Sequence, residues 1–205
     1  MLYLQTILPN TLELLKRLSA QPEMQGLRLV GGTSLALQYG HRQSIDLDFF
    51  GDLSVKQDEM LSMIEKIGSY RLRNRTGKIL QVIIDNVMVD IVDYRQYPWI
   101  DTPLTTDGLT LASPKDIAAM KINAIEGRGS RKDFIDIYLL LQHYTLDEIL
   151  TFYSQKYPNH SIFRALLSLT YFDDAEAESM PKMLIPTAWD EMKRHIIETA
   201  RKYQG

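Results

Sequence analysis

Residues 31–50 read GGTSLALQYGHRQSIDLDFF. Just before them, LRLV at 27–30 is a short apolar run stopped by Gly31-Gly32, the pattern of a strand running into a turn. TSLALQYG then reads as a helix with Thr33 at its N-cap and Gly40 closing it. SIDLDFF alternates strictly and predicts a strand, with Asp46 and Asp48 on one face and Ile45, Leu47 and Phe49 on the other. Two carboxylates about 7 Å apart on one strand face can share a hard cation such as Mg²⁺ or Mn²⁺. Without positive charge between them they repel. The glycines let the backbone approach a ligand closely, and the helix start offers free N–H groups and the positive end of a dipole, which suits a triphosphate. A phosphate cradle joined to paired carboxylates is the equipment of metal-assisted phosphoryl or nucleotidyl transfer. Taken singly, a Gly-Gly is an ordinary turn and an Asp-x-Asp an ordinary surface strand. Their combination, with only positions 33–45 between them, is what points to the chemistry.

Outward from this stretch, residues 55–67 carry Met60, Leu61, Ile64 and Ile67 at helical spacing, and YRLRNR at 70–75 alternates as a strand with Arg71, Arg73 and Arg75 on one face. Such a face is usually solvated; beside a cleft it suits a polyanion. KILQVII and VMVDIVDY flank Asp85-Asn86, a two-residue hairpin signal. In the second of these strands Asp90 shares a face with Met88 and Val92, whereas Asp93 shares the other with Val89 and Ile91. An unpaired acid in an apolar strand is expensive, a cost that a metal or a buried Arg or Lys removes. Asp93, nearer the strand end, reads as solvated. Residues 95–107 read as a loop and DGLTLAS as a short strand. Upstream, residues 4–19 read as a helix with a weak point at Pro9.

From Ser113 the pattern is helical to the end. Ser113 caps a helix with Pro114 at its first position, ending at Gly127. Ser130 and Asp133 open the next as a capping box, Thr145 another, and 161–171 and 187–202 complete the set, the last capped by Thr187. The expected fold is α+β: a mixed sheet with flanking helices over residues 1–112, then an all-helical C-terminal subdomain over 113–205 packed on it.

Composition narrows the chemistry further. The 205 residues include no cysteine, which excludes disulfide frameworks, thiolate metal sites and cysteine nucleophiles and fits a reducing cytoplasm. Hydrophobic residues at 45% and charged residues at 24% are those of a soluble globular chain. No apolar run reaches the ~18 residues of a membrane span and the N-terminus shows no signal-peptide pattern. A net charge of −3 argues against nucleic-acid binding through the overall field, while leaving room for a local basic face. The histidines, His41, His143, His160 and His195, have no metal-ligand spacing.

The motifs GGTSLAL, HRQSIDLDFF, VDIVDY and LASPKDIAAMKINAIEGRGSRKDFIDIYLLL resemble those of the DNA polymerase β-like nucleotidyltransferases, and more closely the AbiEii/AbiGii-type nucleotidyltransferase toxins of toxin–antitoxin and abortive-infection systems. The resemblance is specific over roughly residues 25–145. It implies Mg²⁺-dependent transfer of an NMP from an NTP to an acceptor hydroxyl, with RNA, and tRNA foremost, as acceptor and an antitoxin as partner. It implies a nucleotidyltransferase fold, Asp46, Asp48 and Asp90 as metal ligands, and Gly31, Gly32, Thr33, Arg42 and Ser44 at the nucleotide. It also implies Lys121 in AAMKINAI and Asp136 in KDFIDIY as further catalytic residues, the lysine neutralising the triphosphate or protonating the leaving pyrophosphate. On the residues alone, Lys121 reads first as an ordinary solvated helix lysine, and Arg42 equally as a phosphate ligand or as the partner of a carboxylate. The competing functions are a non-catalytic nucleotide-binding protein and a small-molecule nucleotidyltransferase; the intact acids weigh against the first and the SRKDFIDIYLLL block against the second.

The face assignment of VMVDIVDY makes a direct test. Asp90→Asn is expected to bind NTP within a few-fold of wild type and to lose at least about 10³ in transfer, the scale of a lost base or electrostatic contribution. Asp93→Asn, on the opposite face, is expected to stay active. Single-turnover transfer on both variants reads the register.

Overall fold

The computed structural model describes residues 1–203. A 3₁₀ turn at Leu4–Thr6 precedes α1 (Pro9–Ser19). A second at Pro22–Met24 precedes β1 (Leu27–Val30), α2 (Gly31–Tyr39), β2 (Leu47–Gly51) and α3 (Gln57–Ile67). Then come β3 (Tyr70–Arg75), β4 (Ile79–Ile84), β5 (Val87–Asp93), β6 (Leu104–Thr106) and β7 (Leu109–Leu111). The remainder is helical: α4 (Pro114–Gly127), α5 (Arg131–Leu140), α6 (Leu146–Lys156), α7 (Ile162–Leu169), α8 (Asp173–Glu176) and α9 (Trp189–Lys202).

The strands form one sheet of order β3-β4-β5-β2-β1-β7-β6. It is mixed: β2 runs parallel to β5 and β1 parallel to β7, while the other pairs are antiparallel. Alternation sorts its side chains. Leu47, Phe49, Leu80, Val82, Ile84, Val89 and Ile91 face one side, where Leu14, Leu15 and Leu18 of α1 and Met60, Met63 and Ile64 of α3 close over them. Each such fully buried aliphatic side chain contributes roughly 1.5–3 kcal/mol. The opposite face, with Val30, Phe50 and Val92, meets the core of the helical half, built on Ile117, Ile122, Phe134, Ile137, Ile149 and Tyr153. That second core continues across residue 112, so sheet and helices share it. Asp48 and Asp90 lie on this helix-facing side.

Several expectations shift in detail. Pro9 does not weaken a long helix but starts α1 at its first position, where a missing N–H costs nothing. The α2 helix begins at Gly31 with Val30 as the N-cap residue, so Thr33 lies inside it and is no cap. The strand expected from residue 44 starts at Leu47, and Ile45, in the loop before it, is 59% exposed rather than on one strand face with Leu47 and Phe49. Part of the expected 95–107 loop pairs as β6. The short α8 was not anticipated, and α9 follows Ala188, not Thr187, as N-cap.

The expected arginine face on β3 is broken. The register with β4 slips between Leu72 and Asn74, so Arg73 is an extra, bulged residue. Arg71 lies opposite Ile83, on the helix-facing side of the sheet, whereas Arg75 lies opposite Leu80 and reaches Asp58 of α3 at 2.7 Å. A bulge reverses the alternation that a sequence pattern assumes.

The hairpin between β4 and β5 forms as read, with Ile84 opposite Val87 and both turn residues at positive φ, 48° for Asp85 and 68° for Asn86. A β-branched residue tolerates that conformation poorly. Asn86→Val is expected to lower stability by about 1–2 kcal/mol and Asn86→Gly to leave it nearly unchanged, as read by urea unfolding.

Candidate active site

Side-by-side alignment of β2 and β5 creates the site. Asp48 pairs in register with Asp90, and Gln81 of β4 stands opposite Asp90 on its other side. Asp90 accepts a hydrogen bond from Gln81 Nε2 on Oδ2, at 2.8 Å, while its Oδ1 is buried with no partner. Burial, then the neighbouring charge of Asp90, pushes the Asp48 carboxyl up to about 6. Burial likewise raises Asp90, against the Gln81 hydrogen bond that lowers it. Two carboxylates driven upward together, one of them with a buried oxygen that has no partner, are donors short of a cation.

Asp46 stands at the rim, half exposed, with Lys132 Nζ 3.5 Å away. Its charge still raises both other acids. Among the described residues no group of three His, Cys, Asp or Glu side chains is gathered closely enough to hold an ion. The chain thus presents Asp48 and Asp90 as a ready pair, and Asp46 completes the expected trio only by leaving Lys132. Hard carboxylate oxygens are the donor set that Mg²⁺ or Mn²⁺ takes.

The acids open on a cleft of about 480 Å³ whose lining includes Gly31, Asp48, Phe50, Asp90, Tyr94, Lys121, Asn123, Arg128 and Asp133. The far wall is cationic and comes from α4 and α5. Lys121 is 6% exposed, with Nζ 2.8 Å from Asp133 and 2.6 Å from Asp136. Burial works against its charge, but the two carboxylates outweigh it and the ammonium stays protonated to a raised pKa. Arg128 reaches Asp133 at 3.1 Å. Against burial, Lys121 and Arg128 hold the Asp133 carboxyl down to about 2.

Asp136 lies deeper, with no exposure. Arg42 Nε and Nη2 donate to its two oxygens at 2.7 and 2.8 Å, and His41 Nε2 lies 2.8 Å from Oδ1. Arg42 and Lys121 thereby hold the carboxyl well below the usual range in spite of its burial. Residues 41–43 are clasped from outside by the segment before α9: Gln43 N donates to Lys182 O, Leu184 N donates to His41 O, and Arg42 bridges to Met183.

Of the residues expected at the site, Gly31, Asp48, Asp90 and Lys121 are gathered in the cleft. Arg42 is not at an open phosphate position: it is 2% exposed and engaged by Asp136, because a carboxylate so deeply buried requires a cation. Thr33 and Ser44 are buried as well; the Thr33 hydroxyl bonds the Ser44 hydroxyl at 2.7 Å and the Asp46 carbonyl, bracing the loop that presents Asp46. Asp136 positions Lys121 from behind. Gly31 has φ +67°, and a Cβ there would stand 2.5 Å from Asp48 Oδ2; a Cβ on Gly32 would stand 2.1 Å from Arg42 Nη2. Both glycines thus make room for the site's own side chains. Sequence reasoning missed Asp133, whose place three residues after Ser130 looked like a capping box. Ser130 makes no cap bond to the helix, and its hydroxyl instead bonds Asp133 Oδ2 at 2.7 Å. Gln81 and Arg128 had no distinguishing signal.

Residues 13–204 match the family model described as nucleotidyl transferase AbiEii toxin, type IV TA system, and the chain belongs to that family. It is 33% identical over 182 residues to the uncharacterized protein aq_aa25 of Aquifex aeolicus (strain VF5), covering 85% of this chain and 86% of that one. Among solved structures it is similar to MenT4, a nucleotidyltransferase toxin from Mycobacterium tuberculosis H37Rv, with TM-score 0.59 and 17% identity over 93% of this chain and 81% of that one. It is also similar to ANT(2″)-Ia, solved with adenylyl-2″-tobramycin, with TM-score 0.56 and 13% identity over 70% of this chain and 94% of that one. The fold is a nucleotidyltransferase fold. Among the described residues no helix is long and apolar enough to cross a membrane.

The raised Asp48 carboxyl has a signed consequence. Unfolded, it ionises near its ordinary 3.8; folded, near 6. The folded state therefore binds the extra proton between those values, and Asp48 costs stability progressively as pH rises through that window. Asp48→Asn is expected to melt higher than wild type at pH 7.5 in chelator, by on the order of 2 kcal/mol. The difference should shrink as pH falls towards 4, which a series of melts across that range checks.

Proposed function

We propose that the protein transfers an NMP from an NTP to an acceptor hydroxyl, that RNA, tRNA foremost, is the acceptor, and that it acts as the toxin partnered by an antitoxin. The observation that carries the reading is the in-register Asp48–Asp90 pair facing a cationic wall across one cleft. Asp48 and Asp90, with Asp46 at the rim, are the residues that would hold Mg²⁺ or Mn²⁺, which when bound supplies Lewis-acid charge to the α-phosphate and acidifies the acceptor hydroxyl.

The chain's own residues account for the rest. As the acceptor oxygen forms its bond to the α-phosphorus, its proton passes to the Asp90 carboxylate, which lines the cleft. The bond from that phosphorus to the β-phosphate bridging oxygen breaks, and pyrophosphate leaves with the electron pair. Lys121 and Arg128, held charged and in place by Asp133 and Asp136, face the growing negative charge. Such preorganised charge stabilises a transition state without reorganising at the moment of reaction. Arg71, on the same face of the sheet as Asp90, suits an incoming polyanionic acceptor.

Incubation of the protein with each α-labelled NTP, Mg²⁺ and total RNA is expected to label an RNA of tRNA size with one NTP preferred. Chelator or Asp48→Asn is expected to abolish the labelling. Label appearing only on added small-molecule alcohols such as aminoglycosides would replace the RNA acceptor. NTP binding without label on any acceptor would replace transfer itself.

A further inference from the structure

We propose that Gln81 is a positioning residue for Asp90 and that Asn74, on the exposed edge strand β3, fixes the direction in which Gln81 presents its amide. The proposal rests on the nucleotidyl-transfer reading of Asp90. Four side chains form one row across the sheet: Asn74 opposite Gln81, Gln81 opposite Asp90, Asp90 beside Asp48. Asn74 Nδ2 donates to Gln81 Oε1 at 3.2 Å, and Gln81 Nε2 donates to Asp90 Oδ2 at 2.8 Å. A carboxylate accepts only, so Gln81 must offer it the NH₂ end, and its carbonyl oxygen then faces Asn74. Asn74, a donor at that point, holds this orientation against the flipped one, in which two oxygens would oppose each other.

The outcome at Asp90 is selective. Gln81 holds Oδ2 and through it the orientation of the whole carboxyl group, while Oδ1 stays buried and without a protein partner. The β3 bulge supplies the right residue for this task. Leu72 lies opposite Val82, so an unbroken register would put Arg73 opposite Gln81; the extra residue shifts Asn74 there instead. An arginine in that place is long enough to reach past Gln81 and compete for Asp90. A short neutral amide can only pass orientation along. Bulges beside active sites commonly re-aim a side chain in this way.

The test uses Asn74→Asp, an exposed change that offers Gln81 an acceptor and so turns its amide around, together with Gln81→Leu and the double variant. Three quantities are measured: NTP affinity, single-turnover transfer, and the Gln81 side-chain amide resonance, with thermal melting to verify folding. Asn74→Asp is expected to bind NTP within about threefold of wild type, to shift the Gln81 amide signal, and to slow transfer about tenfold or more, the scale of one misdirected hydrogen bond. In the Gln81→Leu background the same change is expected to cost nothing further, since its effect passes through Gln81. An active wild type whose Gln81 signal and transfer rate ignore Asn74→Asp overturns the relay alone, as does an undiminished effect of Asn74→Asp in the Gln81→Leu background. A wild type that transfers nothing, yet whose Gln81 signal responds to Asn74→Asp, overturns the transfer reading and with it the catalytic role given to the row.

Discussion

The carboxylate of Asp136 is sealed from water and held from two directions. Arg42 grips it from the loop after α2, and Lys121 from α4. A buried charge left alone would cost several kcal/mol, and removing one partner of such a set costs about 3–5 kcal/mol because the rest are stranded. The α/β half and the helical half therefore meet not only through apolar packing but through an electrostatic joint that tolerates one geometry. Lys121 is aimed by that joint, and through Asp133 so is Arg128. Gly32 is part of the same constraint, since a side chain there would collide with the Arg42 guanidinium.

Across the cleft the sign of the problem reverses. The Asp48 carboxyl sits near 6 and that of Asp133 near 2, although both are acids in one pocket. The difference is partnership. Asp133 has two cations and a hydroxyl, whereas Asp48 has a like charge alongside and burial on top. Groups whose environments push their ionisation apart divide the labour of a site. Here one set of acids is spent on holding cations in place, and the other is kept hungry for positive charge.

The elements that the sequence made legible are those governed by local rules. Asp48 and Asp90 followed from strand alternation, the Asp85-Asn86 turn from its two residues, and the Ser113 cap from its spacing to Asp116. What stayed hidden depends on long-range contacts or on breaks in the pattern. No spacing rule joins Arg42 to Asp136, and Asp133 had an adequate local explanation that concealed its ion pairs. The β3 bulge deletes the alternation on which the arginine face was read. Ile45 was expected to share a strand face with Leu47 and Phe49 because the strand was expected to start three residues early, inside the loop braced by Thr33 and Ser44.

The clasp of residues 41–43 by the segment around Met183 bears on how the chain is made. Arg42 emerges from synthesis long before its partner: 94 positions separate it from Asp136. At roughly 5–20 residues per second, the interval is roughly 5–20 seconds. During it the sheet's hairpins can form, since they need only neighbouring sequence, while the cationic wall does not yet exist. The segment that locks the loop in place arrives later still. A nascent or truncated chain therefore carries the acids without the charges that oppose them, and the site is assembled only after the segment around Met183 has been delivered.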